Sequence, residues 1–314
     1  MCGLAGYIGE STNPKLTFKL ATKLFEKIEI RGEDASGFWG LSKDKILYHK
    51  EPVRPIKFVE KDVWKNVENY NPYLFLLHSR RASPGVGSPS DNKNNHPFVN
   101  EDLSIGLVHN GMVPHFEYKS LKNKYEVLSG CDSEIILRIF ESSNLYDLEE
   151  IKSEFGDEET NIALRLMGIR DIWSHVSNAH MAVCIGEKTE ECSRLWMFRN
   201  QHRSLCLIDL REQLGQIFWA STPEIWDAAL EEADLKKELD YCEIKIRDLP
   251  TEEVWMFEID EEKNIPDEKI HIFDVEHYGS PEPFEYTGDR ISANPSVIDK
   301  ELVYSQLEEN ESVS

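Results

Sequence analysis

Apolar positions along this chain follow two rhythms. Leu16, Leu20, Leu24 and Ile28 recur every fourth residue among polar neighbours, which predicts an amphipathic helix with one buried face. Elsewhere apolar residues come in short unbroken runs. Tyr73 to Leu77 and Ile105 to Val108 read as strands, the first buried on both sides. Further strands are expected over residues 1–9, 36–50, 180–186, 195–199, 204–210, 216–221, 242–247 and 253–259. Helices are expected from about Cys131, carrying Ile135, Ile136, Ile139 and Phe140 inward, over 145–175, and from Pro223 to about Ala233. Residues 82–97, rich in Pro, Gly, Ser and Asn, form a loop of the length that is often functional. The order is strands, helices, strands, which argues for antiparallel sheets covered by helices and against alternating βαβ units. Past about residue 260 the pattern weakens. The segment 278–314, with Pro281, Pro283, Gly288, Pro295 and an acidic end, reads as a loosely ordered extension.

Composition narrows the possible functions. The 314 residues are 40% hydrophobic, enough for a sizeable core, and carry a net charge of −23. That charge argues against a nucleic-acid partner, because little here would neutralise phosphates. The six cysteines (Cys2, Cys131, Cys184, Cys192, Cys206, Cys242) include no CxxC pair, so neither a zinc site nor a dithiol motif is indicated. No metal, cofactor or nucleotide motif is evident. No apolar run is long enough to span a bilayer and no secretory leader is seen, so a cytoplasmic location is expected.

The candidate chemistry begins at Cys2. Removal of Met1 is expected before so small a side chain, and it leaves a thiol and a free α-amine on one residue. With unperturbed pKa values of about 8.5 and about 8, both titrate near neutral pH, and the amine can take the thiol proton without a histidine. The alternative is a small buried apolar residue that opens a strand. Four other segments share its loop or strand-end setting. Arg31-Gly32-Glu33-Asp34-Ala35-Ser36-Gly37 is either a functional turn or a helix end with a local ion pair. Arg80 leaves a buried strand for the long loop, where it can grip a carboxylate bidentately or simply be solvated. Asn110-Gly111 offers two donors to an oxyanion, or an ordinary hairpin turn. Asp132 can cap a helix or receive an ammonium group.

Together these segments resemble the class II, N-terminal-nucleophile glutamine amidotransferases. Cys2-Gly3 with Gly6-Tyr7-Ile8-Gly9 looks like the family's opening strand. Arg31-Gly32-x-Asp34-x-Ser36-Gly37 looks like its RG-x-D-[SA]-[SA]-G turn. His78-x-Arg80-x-Ala82-Ser83 with Asn95-His96-Pro97-Phe98 is similar to its glutamine loop and the NxHP element after it. His109-Asn110-Gly111 and Asp132-Ser133-Glu134 follow in matching order, and weaker similarity runs through 179–185 and 220–224. The resemblance implies an α+β fold, a four-layer αββα sandwich of two antiparallel sheets of the Ntn-hydrolase type, over residues 1–260. It implies glutamine amide hydrolysis with Cys2 as nucleophile and Asn110 and Gly111 as oxyanion hole. Arg80 and Asp132 would bind the glutamine carboxylate and ammonium, with Ser83 and His96 also on the substrate side. Arg31, Asp34 and His109 would be structural support. A Cys–His–Asp triad through His109 and Asp34 is set aside, because the resemblance keeps His109 away from the sulfur.

One departure stands out. The family's glutamine loop is usually Thr-Arg-Trp-Ala-Thr-His-Gly, whereas this chain has Arg81 and Pro84 in place of the Trp and His. Residues 261–314 are expected to be an acidic extension, too short for a synthase domain. A separate synthase partner receiving ammonia is therefore expected, with L-glutamine as substrate. An N-terminal-cysteine hydrolase of another amide, and a non-catalytic regulatory module keeping the fold, are the other readings.

Overall fold

Each unbroken apolar run divides its side chains between two cores. In β1 (Gly3–Ile8), Leu4 and Ile8 face one way while Ala5 and Tyr7 face the other. The same alternation splits Leu74 and Leu76 from Phe75 and Leu77 in β4 (Leu74–Arg80), and Ile217 and Trp219 from Phe218 and Ala220 in β10 (Gln216–Ala220). A strand that is apolar at every position must be covered on both faces, and the period of two sorts its residues into the two coverings. The computed structural model describes residues 1–83, 85–142, 149, 151, 152, 157–232, 235, 236, 239, 244–251, 253–259 and 262–274.

The first sheet has seven strands. They are β11 (Lys245–Asp248), β9 (Cys206–Leu210), β10, β1, β4, β2 (Ala35–Leu41) and β3 (Ile46–Glu51), in that spatial order. The second has six: β13 (Ile270–Asp274), β12 (Glu253–Ile259), β8 (Ser193–Arg199), β7 (Ala182–Lys188), β6 (Ile105–His109) and β5 (Phe98–Val99). Every neighbouring pair is antiparallel. Helices Pro14–Lys27 and Pro223–Glu232 cover the outer face of the first sheet through Leu20, Leu24, Phe25 and Trp226. Helices Glu134–Ser142 and Asp157–His175 cover the second, with Ile135, Ile139 and Ile172 in its core. The chain is thus an α+β sandwich of four layers.

Between the sheets, Trp39 of β2 lies over Gly106 of β6 and Gly186 of β7. A methyl group at either glycine would overlap the indole ring, so both positions must stay bare for the sheets to approach. The indole N–H donates to the Leu103 carbonyl at 2.9 Å. The start of β1 and the ends of β4 and β6 meet at one edge of the sandwich, where Gly3 pairs with Ser79 and His78 Nε2 donates to the His109 carbonyl.

Several elements depart from the pattern-based expectation. The strands expected over 36–50 pair as the hairpin of β2 and β3, but other elements differ. The short helices Pro55–Phe58, Asp62–Lys65 and His115–Leu121 were not expected, since one or two turns give too few periods to register. The second sheet also runs past residue 260. β13 pairs with β12 from Glu253↔Asp274 to Phe257↔Ile270, so the boundary drawn at 260 falls inside a hairpin. Most of the helix expected before residue 157, the start of the strand expected from 242, Cys242, and everything after 274 lie outside the described residues.

Candidate active site

Cys2 precedes a strand held on both sides. β1 pairs with β4 from Gly3↔Ser79 to Ile8↔Leu74, and with β10 from Ala5↔Ala220 to Ile8↔Ile217. Its first residues carry extra ties. Ser221 Oγ accepts from Leu4 N at 2.8 Å, and Ser221 N donates to the Leu4 carbonyl at 2.9 Å. Arg31 Nε donates to the Cys2 carbonyl at 3.0 Å. Ser79 Oγ donates to the Ile28 carbonyl at 2.7 Å, and both atoms crowd Gly3, where any side chain would overlap them. Cys2 is 9% exposed and points its S–H at the Arg81 carbonyl, 3.8 Å away. Burial pushes this thiol above its ordinary range. The Arg81 carbonyl contact, the chain amine and Arg80 act in the other direction, and Asp132 adds to the rise. The chain amine resides on Met1 and is itself lowered by burial, with Arg81, Arg31 and Arg203 reinforcing the effect.

Arg80 ends β4 and is almost fully buried. Its Nη1 donates to Asn95 Oδ1 at 2.9 Å, and Nη2 to the carbonyls of Val86 and Gly87, both at 2.8 Å. Three of the five guanidinium N–H groups therefore hold the long loop, which leaves Nε and one Nη1 hydrogen for a ligand. Asp34 fastens the root of the loop. Its Oδ2 accepts from Ala82 N at 2.7 Å, and its own N–H donates to the Arg80 carbonyl at 3.0 Å. Ser83 is exposed, and its carbonyl accepts from Val86 N at 3.1 Å.

The end of β6 lies opposite. The His109 ring is buried and fully engaged: Nε2–H donates to the His180 carbonyl at 3.0 Å, which makes Nδ1 the acceptor of the Ser133 hydroxyl at 2.9 Å. Burial holds its pKa below the usual histidine range, so the ring is neutral. Asn110 follows, equally buried. Its backbone exchanges hydrogen bonds with Ala182, yet neither Nδ2 nor Oδ1 has a partner among the described residues. Nor is Gly111 N–H bonded among them. Gly111 must be glycine, because a methyl group there would overlap the His180 carbonyl and the His109 ring. Asp132 sits just before helix Glu134–Ser142. Its Oδ2 accepts from Val113 N at 2.7 Å, while Cys131 Sγ donates to Oδ1 at 3.7 Å.

Behind Arg80 is a buried imidazole pair. His78 and His96 stack with ring centroids 3.9 Å apart, and His78 Nε2 donates to the His109 carbonyl at 3.1 Å. Burial lowers His78 to about 3 and His96 well below the usual range. Both nitrogens of His96 lack partners among the described residues. Lys50, which the sequence reading passed over, donates to the carbonyls of Asn95 and Pro97 at 2.6 and 3.1 Å, and burial lowers it to about 8. Ser221, Asn95 and Arg203 were also missed. Ser221 lies in the weaker similarity at 220–224 and Asn95 in the NxHP element, so both carried a signal, whereas Lys50 and Arg203 stood in no motif. Among the described residues no group of three or more His, Cys, Asp or Glu is placed to hold a metal ion, and no helix is long and apolar enough to cross a membrane.

No family model matches the chain. It is 30% identical over 146 residues to a glutamine–fructose-6-phosphate aminotransferase of Sulfolobus acidocaldarius, 45% of this chain and 23% of that protein. The enzyme of the same description from Chlamydia caviae is 32% identical over 143 residues, 45% of this chain and 22% of its own length. The chain thus spans about a quarter of the curated relatives it matches. Two solved structures share the fold across 87% of the chain and 49% of their own, each at 16% identity. They are an allosteric regulatory enzyme of purine biosynthesis (TM-score 0.56) and a glutamine phosphoribosylpyrophosphate amidotransferase from B. subtilis (TM-score 0.54).

Proposed function

We propose that this chain, which carries a class II, N-terminal-nucleophile glutamine amidotransferase domain, hydrolyses the side-chain amide of L-glutamine and hands the ammonia to an acceptor held by a separate synthase. The Asn110 side chain carries this reading. A buried amide without a partner costs free energy that a fold does not ordinarily tolerate, unless a ligand supplies the missing partner. Beside it the unspent Gly111 N–H completes a pair of donors of the kind an oxyanion requires.

The steps follow from the residues in place. Loss of Met1 puts a free amine on Cys2, beside its own sulfur. That amine takes the thiol proton, and the sulfur attacks the glutamine Cδ. The carbonyl oxygen becomes an oxyanion held by Asn110 Nδ2 and Gly111 N. The protonated amine then gives its proton to the leaving nitrogen, so that ammonia departs and a thioester remains. Water, deprotonated by the same amine, releases glutamate and restores the thiol. The buried thiol resists ionising unaided, which is why a base within reach matters.

Arg80, through its two remaining N–H groups, takes the α-carboxylate, and Asp132 takes the α-ammonium. Ser83, exposed on the loop that Arg80 gathers, belongs to the cover over bound glutamine. His96, stacked on His78 and 2% exposed, is moved from substrate contact to support of Asn95 and thereby of Arg80. Arg31, Asp34 and His109 hold the three strand ends in register. The domain on this reading includes β13 and reaches at least Asp274.

Incubation with 6-diazo-5-oxo-norleucine, an electrophilic glutamine mimic, followed by peptide mass mapping, tests the assignment. The expected adduct is on Cys2 of chains that have lost Met1. Labelling elsewhere, or none in Met1-free protein, overturns it.

A further inference from the structure

Lys50 belongs to no motif, yet one residue joins it to the arginine that would grip glutamine. It pairs with Gly37 across β2 and β3, and a methyl group at Gly37 would overlap the His96 carbonyl, Pro97 and Lys50 Cβ. That bare position lets residues 95–97 lie against the lysine. The ammonium donates to the carbonyls of Asn95 and Pro97 at 2.6 and 3.1 Å, on either side of His96. The Lys50 carbonyl accepts from Asn92 Nδ2 at 2.6 Å. Asn95 is fully buried, and its side-chain Oδ1 accepts from Arg80 Nη1 at 2.9 Å. Its Nδ2 donates to the Pro89 carbonyl at 2.8 Å and to Asn92 Oδ1 at 3.1 Å. Lys50 and Arg80 thus hold the two carbonyl oxygens of one residue, the backbone one and the side-chain one.

Neither cation forms an ion pair among the described residues. Glu51, next along β3, is taken by His49 and Lys61, and Glu134 is taken by Arg138. Like charges joined through one buried asparagine repel, and an anion on the remaining Arg80 N–H groups relieves the repulsion. Burial lowers Lys50 to about 8; Cys131 and Glu134 oppose that shift and Arg80 adds to it. The titratable groups that face Lys50 do not change charge near that pH. His78 and His96 are neutral through burial, and burial pushes Cys131 and Tyr48 up to about 12. Burial raises Glu134 too, but bonds from Ser129, Leu128 and Arg138 outweigh it and keep the carboxylate ionised. Arg80 is a fixed cation.

We propose that Lys50 is a positioning residue for glutamine. Its ammonium fixes Asn95, Asn95 fixes the Arg80 fork, and its charge adds to the pull on the α-carboxylate, so that glutamine binds more weakly once Lys50 loses its proton. A neutral amine can still reach both carbonyls, but its hydrogen bonds are weaker and its pull on a carboxylate is gone. The sign follows from linkage. A bound carboxylate favours the charged lysine, so affinity is complete below the lysine's own pKa and falls as pH rises through about 8. Glutamine as the bound anion rests on the glutaminase reading.

The test uses the full chain after Met1 removal. Glutaminase kinetics are followed between about pH 6.5 and about pH 9, with the Kd of L-glutamate measured calorimetrically at each pH. In the parent, KM and Kd should hold steady at the acid end and rise roughly threefold or more above about pH 8. Lys50→Met should raise both roughly tenfold at about pH 7 with kcat little changed, and should flatten the rise. Lys50→Arg, which keeps its charge across this range, should restore the parent's affinity and also stay flat. Titration of glutamine's own ammonium and of the Cys2 amine acts on every chain alike, so the difference between chains isolates the lysine. If Lys50→Met does not fold, the parent against Lys50→Arg carries the same contrast. Identical pH profiles in parent and variants, or a loss confined to kcat, overturn the role of Lys50 and leave the glutaminase reading standing. A Met1-free parent that neither hydrolyses glutamine nor takes the diazo-oxo-norleucine label removes that reading, and the role of Lys50 with it.

Discussion

The start of β1 and the end of β6 meet at the same edge of the sandwich, yet they treat their polar groups in opposite ways. At residues 2–4 nearly everything is tied: the Cys2 carbonyl to Arg31, and both backbone groups of Leu4 to Ser221. At residues 109–111 the ties stop partway. His109 uses both ring nitrogens, while the next residue, equally buried, leaves a whole amide unused among the described residues. One strand end is built to hold an atom still, and the other to keep capacity in reserve. A site that must place a nucleophile and also stabilise a charge not yet formed needs both kinds of end.

Asn110→Ala attacks the difference most directly. On the proposed reading it removes one oxyanion donor, and kcat for glutamine is then expected to fall roughly a hundredfold or more, with KM little changed. Because the amide makes no hydrogen bond among the described residues, the denaturation midpoint should stay near that of the parent chain. A variant that unfolds easily while retaining kcat would reverse the assignment of the two strand ends. Ser221→Ala is the converse probe. It leaves the buried Leu4 N–H without its acceptor, and urea unfolding should show a loss of about 1–3 kcal/mol. Activity should fall only insofar as Cys2 is displaced.

A third effect comes from acid. His78, His96 and His109 are neutral in the fold because burial lowers each pKa, His78 to about 3. The unfolded chain takes up those protons below about pH 6.5. Their contribution is therefore complete above that pH and is lost as pH falls towards the folded values, by up to about 1.4 kcal/mol per pH unit for each ring. A His96→Leu chain should lose less stability than the parent between about pH 7 and about pH 5. Equal losses would mean that the ring is not buried in its neutral form.

The architecture was legible because strands buried on both faces leave unbroken apolar runs, and Leu16, Leu20, Leu24 and Ile28 leave a clear helical period. β13 was illegible: Ile270, Ile272 and Phe273 sit among His and Lys at a sheet edge, where one face is wet and the run is short. Cys2, Arg80, Asn110 and Asp132 were each ambiguous alone, and only the order of their segments along the chain, through the family resemblance, singled them out. Ser221 could not be given its bonds to Leu4, nor Asn200 its bonds to Ala179 and Met181. Those contacts join residues 217 and about 20 positions apart, and nothing local predicts them.

The place of β1 in its sheet bears on how the chain is made. Its two neighbours, β4 and β10, begin at residues 74 and 216. At a translation rate of roughly 5–20 residues per second, the second neighbour leaves the ribosome some ten seconds or more after the first strand. Through that interval the chain start has no completed sheet to enter and stays open to a methionine-removing peptidase. Once β10 docks, Cys2 is buried and Arg31 holds its carbonyl. On the proposed reading, removal of Met1 can begin within this interval, and Met1 is still exposed once the fold is complete.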